Sequence, residues 1–367
     1  MDKVDAIVIG AGVIGLAVAR ELAISGREVV ILEAAEAIGS VTTARNSCVI
    51  HAGIYYPPGS AKARHCVVGR DLLYDYLRER ALPFRQCGKV IVAAHDGQME
   101  RLKAILQRAQ ANSVDSLQWL TATQLAEKEP DVQGVAALFS PATGIIDVHE
   151  YIHSLLGDAE AHGAVLALRS PVTGLEATDA GFVVQTGGET PLALACRSLV
   201  NAAGLNGQQI ARMLRGLRAE TIPKRHLAKG NYFSLGGRQP FRHLVYPVPE
   251  PGGLGVHATL DLTGKTRFGP DVEWVDTEDY AVDPIRAGRF YDAIRTYWPG
   301  LPDGALQPDY SGIRPKLAAA GEPDGDFIIQ GTADHGVPGL VNLYGIESPG
   351  LTASLSIAAA VPGQLFP

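Results

Sequence analysis

Residues 6–19 read Ala-Ile-Val-Ile-Gly-Ala-Gly-Val-Ile-Gly-Leu-Ala-Val-Ala, and this stretch decides the fold. Four small or β-branched residues, Ala6 to Ile9, predict a buried strand. Gly10, Gly12 and Gly15 follow at Gly-x-Gly-x-x-Gly spacing, with Val13 and Ile14 between them. The pattern Leu16 to Ile24 then predicts a helix, and Glu28 to Leu32 a second strand that ends at Glu33 and Ala34. Strand, glycine turn, helix, strand and acid in that order form a dinucleotide-binding unit. Gly10 permits the tight turn, Gly12 lets a pyrophosphate approach the backbone, and Gly15 lets helix and strand come close. The helix N-terminus faces the phosphates, and Glu33 accepts hydrogen bonds from a ribose diol. The motif does not distinguish bound FAD from diffusible NAD.

The same stretch also resembles a signal peptide, since it is apolar, follows Lys3 and ends in small residues. Three glycines interrupt it, Asp2 and Asp5 flank it, and the amphipathic pattern runs on through Arg20-Glu21-Leu22. It is therefore read as a Rossmann strand and helix.

The 367 residues suffice for about two domains, and 46% hydrophobic against 19% charged residues exclude wholesale disorder. A net charge of −7 without any Lys/Arg run argues against a nucleic-acid partner. No stretch of ~20 unbroken apolar residues predicts an integral membrane segment. Cys48, Cys66, Cys87 and Cys196 are scattered without metal-ligand spacing, so they read as reduced and no metal is expected. The expected location is cytoplasmic, with peripheral membrane association left open. The 41 glycines belong to no repeat, so each must be placed singly.

Further along, helices are expected at Val67 to Arg80, Met99 to Ala111 and about Val148 to His162, with a strand at Lys89 to Ala93. Strands are expected at 164–168, 172–177, 181–186 and Ser198 to Gly204. The region 226–299 reads as sheet ending in a helix over 284–298, with turns at Gly236-Gly237 and Gly252-Gly253. Strands at 327–330 and 340–344 precede a helix opened by Ser348-Pro349-Gly350-Leu351-Thr352. Dinucleotide-binding features thus recur at the start, middle and end of the chain. The expected fold is α/β, with a Rossmann-like cofactor domain (1–85, 141–225 and 300–367) interleaved with a mainly antiparallel-sheet α+β substrate domain (86–140 and 226–299).

Four segments carry a family resemblance: Asn46-Ser47-Cys48-Val49-Ile50-His51-Ala52-Gly53-Ile54-Tyr55-Tyr56, continuing to Ala63; Cys87-Gly88-Lys89-Val90-Ile91-Val92-Ala93; Leu244-Val245-Tyr246-Pro247-Val248-Pro249; and Gly255-Val256-His257-Ala258-Thr259-Leu260 with Gly269-Pro270. With these the chain resembles the D-amino-acid-oxidase-like FAD-dependent oxidoreductases, and within them the L-2-hydroxyglutarate dehydrogenase/oxidase branch. Ser311-Gly312-Ile313-Arg314-Pro315-Lys316 and Ile346 to Thr352 are closer to the amine oxidases of the wider family.

The resemblance implies noncovalent FAD held by Thr42, Thr43, Arg45, Asn46 and Ser47 along the pyrophosphate and flavin edge, Val172 near the adenine, Ala203 and Gly204 near the ribitol, and Gly350, Leu351 and Thr352 near the pyrimidine. Gly53 is also expected against the cofactor. Oxidation of a 2-hydroxy acid needs a base and a cation for the carboxylate. His51 is the first candidate base and His257 the second. Arg314 is the candidate clamp, because a guanidinium matches a carboxylate with two parallel hydrogen bonds. Tyr246 and Tyr56 are candidate donors to the substrate. Lys62, Arg225, Lys229 and Arg267 are candidates for a second, distal carboxylate. The expected activity is oxidation of a small 2-hydroxy acid, L-2-hydroxyglutarate first. The alternatives are an amine or amino-acid oxidase and a flavin-binding electron-transfer subunit. Oxygen, a quinone and a protein partner all remain open as electron acceptor.

Overall fold

The computed structural model describes residues 2–249 and 255–365, so the turn expected at Gly252-Gly253 lies outside the described residues. The apolar amino terminus forms the strand Lys3–Ile9 and the helix Val13–Ile24. Ala6, Ile7, Val8, Leu16 and Leu22 are wholly buried. A strand covered on both faces must be apolar throughout, which is why this segment does not alternate.

Lys3–Ile9 lies inside an eight-stranded sheet, parallel to Val29–Leu32 on one side and to Ala193–Asn201 on the other. The strand Val165–Ala167 continues the parallel set beyond Val29–Leu32. The far edge of Ala193–Asn201 is shared. Its first half pairs antiparallel with Gly181–Thr186, and its last residues pair parallel with Leu340–Tyr344. Three distant stretches of chain therefore end side by side at the carboxyl edge. The chain leaves Lys3–Ile9 toward both neighbours, and such a switch point opens the crevice where doubly wound sheets bind ligands.

Helices Val13–Ile24, Ala61–Glu79, Val148–Ala161 and Gly350–Leu365 pack together over this sheet. Gly69 marks the tightest crossing, since a Cβ there would stand 2.5 Å from the Thr352 carbonyl oxygen. All four cysteines are unpaired.

Among the described residues the second sheet has nine strands. His226–Leu235, Leu244–Pro247, Ala258–Leu260, Thr266–Phe268 and Glu273–Val275 join Lys89–Ala93, Gln118–Thr121 and Ala136–Ser140. Of the segment 255–260, the second half forms the strand Ala258–Leu260. Residues 306–316, placed by sequence with the cofactor segments, form a strand that pairs along His226–Leu235 in this second sheet. The expected helix at 284–298 is a 3-10 turn followed by Ala287–Arg295. Among the described residues no helix is long and apolar enough to cross a membrane, and no His, Cys, Asp and Glu group is placed to hold a metal.

Candidate active site

Between the two large sheets lies a cavity of about 1250 Å³. Its floor starts at the glycine turn. Gly10 has φ 103°, a left-handed conformation that favours glycine, and a Cβ there would lie 2.6 Å from the Ala202 carbonyl oxygen. Gly12 caps the helix in extended conformation, and Val13 N–H donates to Thr43 Oγ1 at 3.1 Å. Glu33 is fixed by two backbone donors, with Ala11 N–H to Oε2 at 2.7 Å and Ala35 N–H to Oε1 at 2.8 Å. A side-chain-free helix start facing the cavity, with an anchored carboxylate one strand away, fits a dinucleotide's pyrophosphate and ribose. Val172, Ala203, Gly204, Gly350 and Leu351 line the same cavity, as do Ala34, Thr42, Thr43, Arg45, Asn46 and Ser47.

Three residues of the expected cofactor set do not line the cavity. Gly15 does not line the cavity. Its hydrogen faces the Gly10 carbonyl, where a Cβ would stand at 1.9 Å. Thr352 is buried beneath the site; its Oγ1 accepts from His51 N–H at 2.9 Å and donates to the Val49 carbonyl. Gly53 packs on the Val67 side chain instead of the cavity. A Glu33→Ala substitution is expected to weaken FAD binding about tenfold or more, because a charge-assisted hydrogen bond is lost. Equilibrium dialysis checks this; unchanged affinity would contradict the ribose role.

All five candidate reacting or substrate-binding residues line the cavity: His51, Tyr56, Tyr246, His257 and Arg314. The Tyr246 and His257 rings are stacked, 3.6 Å between centroids and 7° from parallel. Arg314 Nε donates to the Ala228 carbonyl at 3.3 Å and Nη2 to the Asp271 carbonyl at 2.9 Å. These bonds fix the guanidinium plane without neutralising its charge. His51 Nε2 is 3.2 Å from Ser348 Oγ. The His51 ring lines the cavity. Burial, aided by the Lys89 ammonium, pushes it from the ordinary 6.5 down to about 3.

Between pH 6.5 and about 3 the unfolded histidine binds a proton that the folded one does not, so this group stabilises the fold less as pH falls through that window. Urea unfolding of a His51→Gln protein is therefore expected to lose less stability than wild type over the same range. Equal slopes would contradict the assignment.

The four candidate distal cations are already engaged. Lys62 Nζ is 3.0 Å from Glu347 Oε1, which also receives Lys316 Nζ at 2.9 Å. Arg225 lies 3.8 Å from Glu278, Lys229 2.9 Å from Asp279, and Arg267 pairs with Asp309. Of these four only Lys62 lines the cavity. Sequence reasoning passed over Arg101 and Arg108, which the helix Met99–Ala111 places at the cavity lining, seven residues apart and so on one helix face. It also assigned no role to Lys89, although a lysine opening an apolar buried strand was itself a signal.

The model of the family described as FAD dependent oxidoreductase (DAO) matches residues 5–361. The mitochondrial L-2-hydroxyglutarate dehydrogenase of Arabidopsis thaliana is 45% identical over 405 residues, covering 100% of this chain and 84% of its own. The L-2-hydroxyglutarate dehydrogenase of Escherichia coli (strain K12) is 29% identical, covering 98% and 93%. Among solved structures, the dithionite-reduced L-alpha-glycerophosphate oxidase of Mycoplasma pneumoniae with FAD bound superposes with a TM-score of 0.90 at 26% identity, covering 100% of this chain and 95% of that one.

Proposed function

Since the chain belongs to the FAD-dependent oxidoreductase family, whose model spans residues 5–361, we propose that its FAD-dependent reaction is the oxidation of L-2-hydroxyglutarate to 2-oxoglutarate. When bound, FAD supplies the acceptor for the hydride that leaves the substrate Cα. Arg314 holds the carboxylate beside that carbon, its plane preset by the Ala228 and Asp271 carbonyls. The hydroxyl proton passes to an imidazole nitrogen. We assign this to His257, whose ring lies flat on Tyr246 in the same cavity as Arg314. His51 then serves as a neutral hydrogen-bonding ring beside Ser348. Tyr246, stacked under His257, fixes the orientation of the base, and Tyr56 lines the same pocket.

The observation that carries this assignment is the meeting, in one cavity, of the His257–Tyr246 stack and an Arg314 guanidinium that, among the described residues, is bonded to carbonyls. It suits an anionic substrate bearing a removable proton. The test is steady-state turnover with an artificial dye acceptor across 2-hydroxy acids, glycine, sarcosine and D-amino acids. Formation of 2-oxoglutarate from L-2-hydroxyglutarate is expected. Turnover of the amines alone would replace it with an amine oxidase.

A further inference from the structure

Three lysines among the described residues are buried, at 6%, 1% and 3% exposure: Lys62, Lys89 and Lys229. Lys62 and Lys229 each have a carboxylate, at 3.0 and 2.9 Å. Lys89 differs. Its Nζ sits over two aromatic rings, 4.6 Å from the centroids of Tyr55 and Tyr246. The parallel stack of His257 on Tyr246 occupies one face of that ring, which leaves the other to the ammonium. Tyr55, Lys89, Tyr246 and His257 therefore form a layered column whose two tyrosines and histidine line the cavity.

Of the titratable groups around Lys89, Cys66, Tyr55, Tyr246 and His51 are uncharged at neutral pH, and His257 lies beyond the Tyr246 ring. From the helix Ala61–Glu79, Cys66 is pushed up to about 12 by burial. Burial likewise raises Tyr55 and Tyr246 above the ordinary tyrosine range. His51, pushed down to about 3, is neutral as well. The strand neighbours paired with Lys89 are Leu244 and Ser140, neither of which ionises. Burying an ammonium without an anion is costly, and cation–π attraction offsets only part of that cost.

We propose that Lys89 is a positioning residue that supplies, through the Tyr246–His257 stack, the positive charge drawing a carboxylate substrate into the aromatic end of the cavity. The entering anion is the missing counter-charge. Burial pushes Lys89 from 10.5 down to about 7, so an arriving carboxylate, which favours the charged form, binds with uptake of a proton. The proposal rests on the 2-hydroxy-acid reading only for which carboxylate enters.

The experiment titrates the FAD-loaded full chain with 2-oxoglutarate and with acetate, following perturbation of the visible flavin band between about pH 6 and 9. In wild type both affinities are expected to fall as pH rises through the Lys89 transition. Lys89→Met is expected to bind both anions about tenfold more weakly at the acid end, with that fall absent. Lys89→Arg, whose charge does not titrate, is expected to keep tight binding and also lose the fall. A purely structural role would change melting temperature and leave the pH dependence intact. Equal affinities and pH profiles in wild type and Lys89→Met overturn the proposal. If Lys89→Met does not fold, Lys89→Arg decides, and an unchanged pH profile there overturns it. The acetate arm stands apart from the substrate assignment: no turnover of any 2-hydroxy acid would sink that assignment while leaving the acetate result to judge Lys89.

Discussion

A Gly15→Ala protein is expected to retain no FAD and to fold poorly if at all. A Cβ at this position would stand 1.9 Å from the Gly10 carbonyl oxygen and 3.0 Å from its carbon. Both are backbone atoms, in a turn held by Gly10 N–H to Leu32 O and Ala202 N–H to Ile9 O at 2.8 and 2.9 Å. No side chain can rotate away to relieve the overlap. The helix must lift off the strand by roughly 1–1.5 Å to restore ordinary contact, which breaks the core packing beneath it and misaims the phosphate-facing N–H groups. Gly157→Ala is the control. That glycine lies in the helix Val148–Ala161 with nothing within 4 Å of where a Cβ would stand, so alanine there is expected to stabilise by up to about 1 kcal/mol. Flavin-to-protein absorbance ratio and thermal unfolding read both results. A Gly15→Ala protein with full FAD content and an unchanged melting temperature would contradict the turn geometry.

Replacing Arg314 with alanine is expected to lower kcat/KM for L-2-hydroxyglutarate by about a hundredfold or more, with FAD content unchanged. The guanidinium is oriented by carbonyls of two separate segments, so a substrate carboxylate meets a preset donor plane. Losing a charge-assisted bidentate contact costs about 2–5 kcal/mol. Arg314→Lys keeps charge but not the planar fork, and is expected to recover only part of the loss. If kcat falls along with kcat/KM, the contact tightens in the transition state; if only KM rises, it binds the ground state equally well. Retention of wild-type kcat/KM in Arg314→Ala would remove Arg314 from the substrate site.

How much of this was legible in the sequence depended on the range of the forces involved. The glycine turn, its helix and Glu33 were legible because they rest on local backbone geometry. The helix Met99–Ala111 was also found at its observed bounds, since its apolar face repeats cleanly. The helix expected from Val67 instead begins at Ala61. Ser60 Oγ caps Ala63 N–H, and the Asp326 carboxylate takes Ala61 N–H and Lys62 N–H from far along the chain. That second cap has no local signature.

The strand Leu306–Lys316 was hidden by Pro308 and Pro315, which argue against a sheet interior. It pairs with a single neighbour, and an edge strand tolerates proline. The carboxylate partners of the candidate distal cations were hidden for a similar reason. Lys62 finds Glu347 across 285 residues, a pairing that composition and spacing do not report. His51 and His257 both line the cavity, but the Lys89 ammonium beside the one and the Tyr246 ring under the other come near only in the folded chain.

The most direct test of the central claim is anaerobic mixing of the FAD-loaded protein with L-2-hydroxyglutarate, monitored at the visible flavin band. Bleaching of that band within a single turnover is expected, with formation of one 2-oxoglutarate per flavin, and none of this with Arg314→Ala on the same timescale. An oxidised flavin spectrum that persists with L-2-hydroxyglutarate, while dithionite still bleaches it, would contradict the account.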